Sequence, residues 1–78
     1  MKEFHVRFRS LQEVHNFVSF ASAQPHKLLV GNDLFQVNAT SFMGLIVLNC
    51  RNTQKVTVDC TDEEFALLLQ QAAPFLTT

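Results

Sequence analysis

Few side chains in this sequence could carry out chemistry. There are three histidines (His5, His15 and His26) and two cysteines (Cys50 and Cys60). His5 falls in an alternating stretch and His26 follows a proline. Neither has a partner constellation of the kind that general acid–base or metal chemistry needs. His15 lies on the polar side of an amphipathic segment, where a plain surface histidine is the ordinary outcome. The cysteines lack the extra ligands and tight spacing of a metal site or a disulfide scaffold, so free thiols in a reducing cytoplasm are expected. No glycine-rich phosphate loop, paired-carboxylate site or Cys-x-x-Cys motif points to an independent enzyme, and nothing calls for a metal or cofactor.

The elements that position these residues must come from a single small domain spanning 1–78. The composition is 47% hydrophobic and 17% charged, which suits a globular chain rather than a disordered one. No apolar run approaches the roughly 20 residues of a membrane span, and charges break every candidate signal-peptide stretch in MKEFHVRFRS. The net charge of −1 gives no long-range attraction to nucleic acid. A cytoplasmic protein without membrane or nucleic-acid partners is the expectation.

Phe4, Val6 and Phe8 alternate with His5, Arg7 and Arg9, the period of a strand with one buried and one wet face. From Leu11 the period becomes helical, with Val14, Phe17, Val18 and Ala21 on one side and Gln12, His15, Ser19 and Ser22 on the other. Gln24-Pro25 ends that helix. Strands are expected at 27–30 and 33–37, joined by a tight turn at Gly31-Asn32. TSFMGLIVL (40–48) follows as a short helix ending near Asn49, and 55–60 is a further strand. Thr61 and Glu64 form a T-x-x-E capping box that opens a last helix with Phe65, Leu68, Leu69 and Ala72 as its apolar stripe. Pro74 closes or kinks that helix. The order β-α-β-β-α-β-α predicts an α+β, open-faced two-layer sandwich. It has a four-stranded antiparallel sheet, three helices on one face, and His5, Arg7 and Arg9 towards solvent.

Within this order VNATSFMGLIVLN (37–49) closely resembles the regulatory-serine segment of HPr, the histidine-containing phosphocarrier of the bacterial phosphoenolpyruvate-dependent sugar phosphotransferase system. In the Gram-positive branch and its HPr-like paralogues that segment reads roughly V-N-A-K-S-I-M-G-[LV]-M-S-L. The element order matches along almost the whole chain. The family's other motif, G-L-H-[AT]-R-P-A, is altered. Its counterpart here is Ser10-Leu11-Gln12, which puts Gln12 where the phosphorylatable histidine belongs, and Glu13, Val14 and His15 replace the arginine and proline that should follow. A glutamine amide cannot carry a phosphoryl group as phosphohistidine does. The resemblance is therefore closest to paralogues without the phosphorylatable histidine, and implies a regulatory or adaptor role in sugar uptake and carbon-source control.

The resemblance places Ser41 at the serine phosphorylated by a dedicated kinase, whereas helix capping alone would also account for a serine there, with Asn38 and Thr40 as competitors. The matching family positions make Phe42, Met43, Ile46 and Val47 an exposed patch for a protein partner, with Leu45 and Leu48 facing the sheet. Phe42, Met43 and Ile46 are expected to be exposed. Val47, a serine in many relatives, has the alternative of filling the core. A homodimer through the same patch is a further outcome. Two rival readings stand beside the adaptor. One is a divergent phosphocarrier using His15, and the other a small regulatory or ligand-binding module of ferredoxin-like topology.

Overall fold

A computed structural model describes residues 1–32, 34–48 and 53–77. Its elements run β1 (Lys2–Val6), α1 (Leu11–Ser22), β2 (Leu28–Gly31), β3 (Gln36–Asn38), α2 (Phe42–Val47), β4 (Gln54–Val58) and α3 (Asp62–Ala72), with a 3-10 turn at Ala73–Phe75. The four strands form one antiparallel sheet in the order β1-β4-β2-β3. This is the α+β sandwich that the periodicities predict. Phe4, Val6, Leu28, Val30, Val56 and Val58 are buried on one face of the sheet, against Val14, Phe17, Leu45, Leu68 and Ala72 of the helices. His5, Arg7 and Arg9, the alternate residues of the first strand and its extension, are exposed.

The second hairpin differs from expectation. β3 begins at Gln36, and the residues before it form the connection instead of extending a 33–37 strand; Asp33 lies outside the described residues. The physical reason is Asn32. Its Oδ1 accepts from the Leu34 N–H (2.8 Å) and the Phe35 N–H (2.9 Å), while its own N–H donates to the Phe35 carbonyl at 2.9 Å. This side chain-to-backbone turn competes with strand pairing and leaves Leu34 97% exposed. Gly31 has φ +153°, and a Cβ there would sit 2.1 Å from the Phe35 carbonyl oxygen, so only glycine fits the entry to the turn. β4 spans 54–58 rather than 55–60, because Asp59 and Cys60 already lead into the cap of α3. The expected end of the second helix near Asn49 lies outside the described residues; the helix spans Phe42–Val47, and Leu48 caps it with its N–H donating to the Gly44 carbonyl at 3.2 Å.

Both parts of the T-x-x-E box are formed. Thr61 Oγ1 accepts from the Glu64 N–H (3.2 Å), and Glu64 Oε1 accepts from the Thr61 N–H (2.9 Å). The other Glu64 oxygen faces His26 Nε2 at 3.1 Å, tying the segment after α1 to the start of α3. Lys2 pairs with Asp62, fastening the beginning of β1 to the same helix end.

At the other end of β1 the chain adds a contact that no periodicity announces. After α3, Pro74 sits in the 3-10 turn, and Leu76 forms an antiparallel bridge with Val6. Arg7 N–H donates to the Phe75 carbonyl (3.0 Å), and Thr77 N–H donates to the His5 carbonyl (3.1 Å). The C-terminal residues thus pair with the outer edge of β1. Phe75 is held by rings from two other segments, with centroids 5.2 Å from Phe17 and 6.4 Å from Phe8, both edge-on, while Phe8 and Phe17 lie 5.1 Å apart.

Phe75→Ala should lower unfolding stability by about 3–5 kcal/mol, the range for a buried phenylalanine, in denaturant titration. An unchanged midpoint would show that the C-terminal turn is an appendage. A second expectation concerns the cap. The Thr61 N–H and hydroxyl, with His26 beside them, hold the Glu64 carboxyl below the usual glutamate range. A depressed carboxyl pKa contributes stability above the unfolded-state value that is lost as pH falls through the folded one. Thr61→Ala should cost about 1 kcal/mol at neutral pH. Glu64→Gln should flatten the loss of stability on acidification, and an acid limb identical to that of the parent chain would refute the assignment.

Candidate functional site

The start of α1 is closed by the chain itself. Ser10, in extended conformation (φ −157°, ψ 166°), accepts from the Glu13 N–H at 3.2 Å, and the Glu13 carboxylate accepts from the Arg9 N–H at 2.8 Å. Gln12 is the second helical residue, as expected for a position beside the helix start, and is exposed. Its Nε2 donates to Asn16 Oδ1 at 3.0 Å along the polar face. This amide gives the helix end neither a phosphoacceptor nor a base.

His15 lies about one turn further along α1, on the exposed face. It meets the ring of Phe42 edge-on, with centroids 6.0 Å apart and planes at 74°. That contact belongs to the α1–α2 junction. The structure therefore joins α1 to α2, two stretches far apart in sequence. His15 takes part through its ring.

At α2 the competition among cap residues is resolved. Asn38 Oδ1 accepts from both the Thr40 N–H (3.0 Å) and the Thr40 hydroxyl (2.8 Å), so these two side chains serve each other. Ser41 is left as the N-cap, its Oγ accepting from the Gly44 N–H at 3.1 Å. The Ser-x-x-Gly spacing has a packing cause as well. A Cβ on Gly44 would lie 2.9 Å from Ser41 Oγ and 3.2 Å from Val37 Cβ, so a side chain would push the helix off β3 or break the cap. Ser41 remains exposed while serving as cap.

The six-residue helix turns Leu45 (1% exposed) and, just past its end, Leu48 into the core. Met43 (69% exposed), Val47 (74%) and Ile46 (37%) face outward. The alternative that Val47 fills the core is overturned. Phe42 is also a correction: it was expected to be exposed, but it is half-buried, packing on the core and on His15. As the first residue of α2, facing α1, it has a neighbouring helix to lie against. The patch therefore consists chiefly of Met43, Ile46 and Val47, with Phe42 as its edge. The sequence reading also missed that Leu11, Leu34 and Phe35 are more than half exposed, because it assigned them to a helix start and a strand.

Cys60 is half-buried, and burial pushes its thiol pKa up, which lowers its reactivity at neutral pH; Cys50 lies outside the described residues. Among the described residues no group of three or more histidine, cysteine or acidic side chains could hold a metal ion, and no helix is long and apolar enough to cross a membrane.

No family model matches the chain, and no curated protein does. Among solved structures it is similar to HPr-C-His from Thermoanaerobacter tengcongensis, with a TM-score of 0.70 and 26% sequence identity over 90% of this chain and 89% of that one. With the sheet order, the three helices and the capped serine helix in place, the fold is HPr-like along nine-tenths of the chain.

Proposed function

We propose that this protein is an HPr-like regulatory or adaptor domain that has lost phosphocarrier chemistry and acts by binding a protein partner through α2. The observation that carries this reading is the outward face of α2. Met43, Ile46 and Val47 are exposed together on a short helix whose Leu45 is already buried. An exposed apolar cluster costs solvation and marks an interface more often than not. The loss of carrier chemistry is supported by Gln12 at the helix start and by His15, whose ring packs against that of Phe42. The similarity to an HPr structure supports a relation to the phosphotransferase system. Ser41 is the proposed regulatory site. A phosphate there would lie at the N-terminal end of α2, beside the patch, where added negative charge would oppose an apolar contact.

Incubation with phosphoenolpyruvate and the phosphorylated first enzyme of the system should leave the protein without an acid-labile phosphohistidine. Gln12→His should not restore full transfer, since the arginine of the family motif is missing too. Robust phosphorylation of the parent chain on His15 would replace the adaptor with a divergent carrier.

The patch is tested separately. Val47→Glu and Ile46→Glu should change stability by no more than about 1 kcal/mol, as outward positions remove little packing. Leu45→Ala should cost about 2–5 kcal/mol, as a buried leucine does. Both glutamate variants should abolish partner binding by placing an unpaired charge in the contact. Undiminished binding, measured by calorimetry with a phosphotransferase-system partner, would remove α2 as the contact surface.

A further inference from the structure

The C-terminal pairing with β1 also creates a concavity on the opposite, solvent-facing side of the sheet. Arg7 and Arg9 stand two residues apart, with Phe8 between them turned into the core at 2% exposure, so both guanidinium groups belong to the outer side. Extending the β1–β4 register from Val6↔Gln54 by one residue brings Arg7 opposite Thr53. On its other flank Arg7 is fixed by the hydrogen bond from its N–H to Phe75, and Thr77 follows through its bond to His5. Arg7, Arg9, Thr53, Leu76 and Thr77 together line a cavity of about 280 Å³. Three chain segments build it, and the C-terminal one is held there by its backbone bonds to β1 and by Phe75 packed among the phenylalanines.

Two arginines and no carboxylate are among the residues that line the cavity. Among the described residues the close acid–base contacts are Lys2–Asp62, His26–Glu64 and Lys55–Glu3, and none uses Arg7 or Arg9. The Glu13 carboxylate takes the backbone N–H of Arg9 at 2.8 Å. Further along the sheet His5 lies opposite Lys55, and Lys55 is paired with Glu3.

We propose that this cavity is a binding site for a small phosphate-bearing ligand, gripped by the guanidinium groups of Arg7 and Arg9, with the Thr53 and Thr77 hydroxyls as further donors. Arginine's planar fork matches phosphate oxygens in a bidentate fashion, and two such forks balance the charge of about −1.5 to −2 that a phosphate monoester carries near neutral pH. A single carboxylate would leave one cation uncompensated. The volume lies just below the range of about 300–1,000 Å³ of ordinary small-molecule sites, which suits a phosphate group with a short organic stem. This site is separate from the α2 patch and does not depend on the adaptor reading.

The test is an NMR titration of the full chain with inorganic phosphate, glycerol 3-phosphate and acetate, each at the same ionic strength. Saturable shifts at Arg7, Arg9, Thr53 and Thr77 are expected with both phosphates, with acetate at least about tenfold weaker. Tighter binding of glycerol 3-phosphate would identify an esterified phosphate as the ligand, and tighter binding of the inorganic ion a free one. Arg7→Gln and Arg9→Gln should each weaken binding by about tenfold or more, the scale of one charge-assisted contact. Thr53→Val, which leaves both charges in place, should weaken it less. Shifts that do not saturate, acetate binding equal to phosphate, or arginine variants that bind like the parent would each overturn the proposal. If a variant fails to fold, the titration of the parent chain decides alone.

Discussion

The contact among Phe8, Phe17 and Phe75 is the constraint on which most of this structure rests. It gathers one ring from the extension of β1, one from the middle of α1 and one from the turn after α3. A chain of this size buries a modest fraction of its surface, so a few large rings must supply much of the driving force. Edge-on and tilted rings add attraction beyond the area they bury. One cluster fixes two neighbouring N-terminal segments to a third that lies far along the chain. The outer edge of β1 is then covered by Leu76 and Thr77, which removes an open strand edge.

The opposite end of the molecule is held by polar contacts. Lys2 with Asp62, His26 with Glu64 and the reciprocal bonds of the capping box all converge on the first turn of α3. Asp62, Glu63 and Glu64 lie there in the favourable sense for the helix dipole. The Lys2 ammonium holds the Asp62 carboxyl below its ordinary range, as the Thr61 N–H does for Glu64. These groups are solvent-exposed, so each contributes modestly, and screening by salt acts on all of them together. The polar end fixes the start of α3 relative to β1.

Between these ends, α2 is short and lightly anchored. Its inward residues are Leu45 and the adjoining Leu48, its start is closed by Ser41, and Gly44 lets it sit close to Val37. Six residues cannot place every apolar side chain inward, because fewer than two turns present a single narrow stripe to the core. The outward face is thus available for binding at little cost to the fold. The same economy applies to α1, where Gln12, Asn16 and His15 occupy the polar side while Val14, Phe17 and Ala21 hold the helix down.

The alternation of Phe4, Val6 and Phe8, the helical period from Leu11 and the T-x-x-E box determined by themselves the strand, the two long helices and the cap. Each depends on local periodicity or on bonds spanning three residues. The inward role of Leu45 and Leu48 was legible in the same way. Tertiary structure decided what depends on neighbours remote in sequence. Asn32 closed its own turn and displaced the start of β3, a choice between side-chain and ladder hydrogen bonds that strand propensity does not settle. Phe42 became half-buried because α1 passes beside it, and Val47 became exposed because nothing covers it among the described residues. Asn38 and Thr40 satisfied each other and left Ser41 as the cap. Arg7 and Arg9 read as two cations on a wet strand face. They line a cavity because an α3 turn some seventy residues later is pinned beside them, a contact between rings with no local signal in the chain.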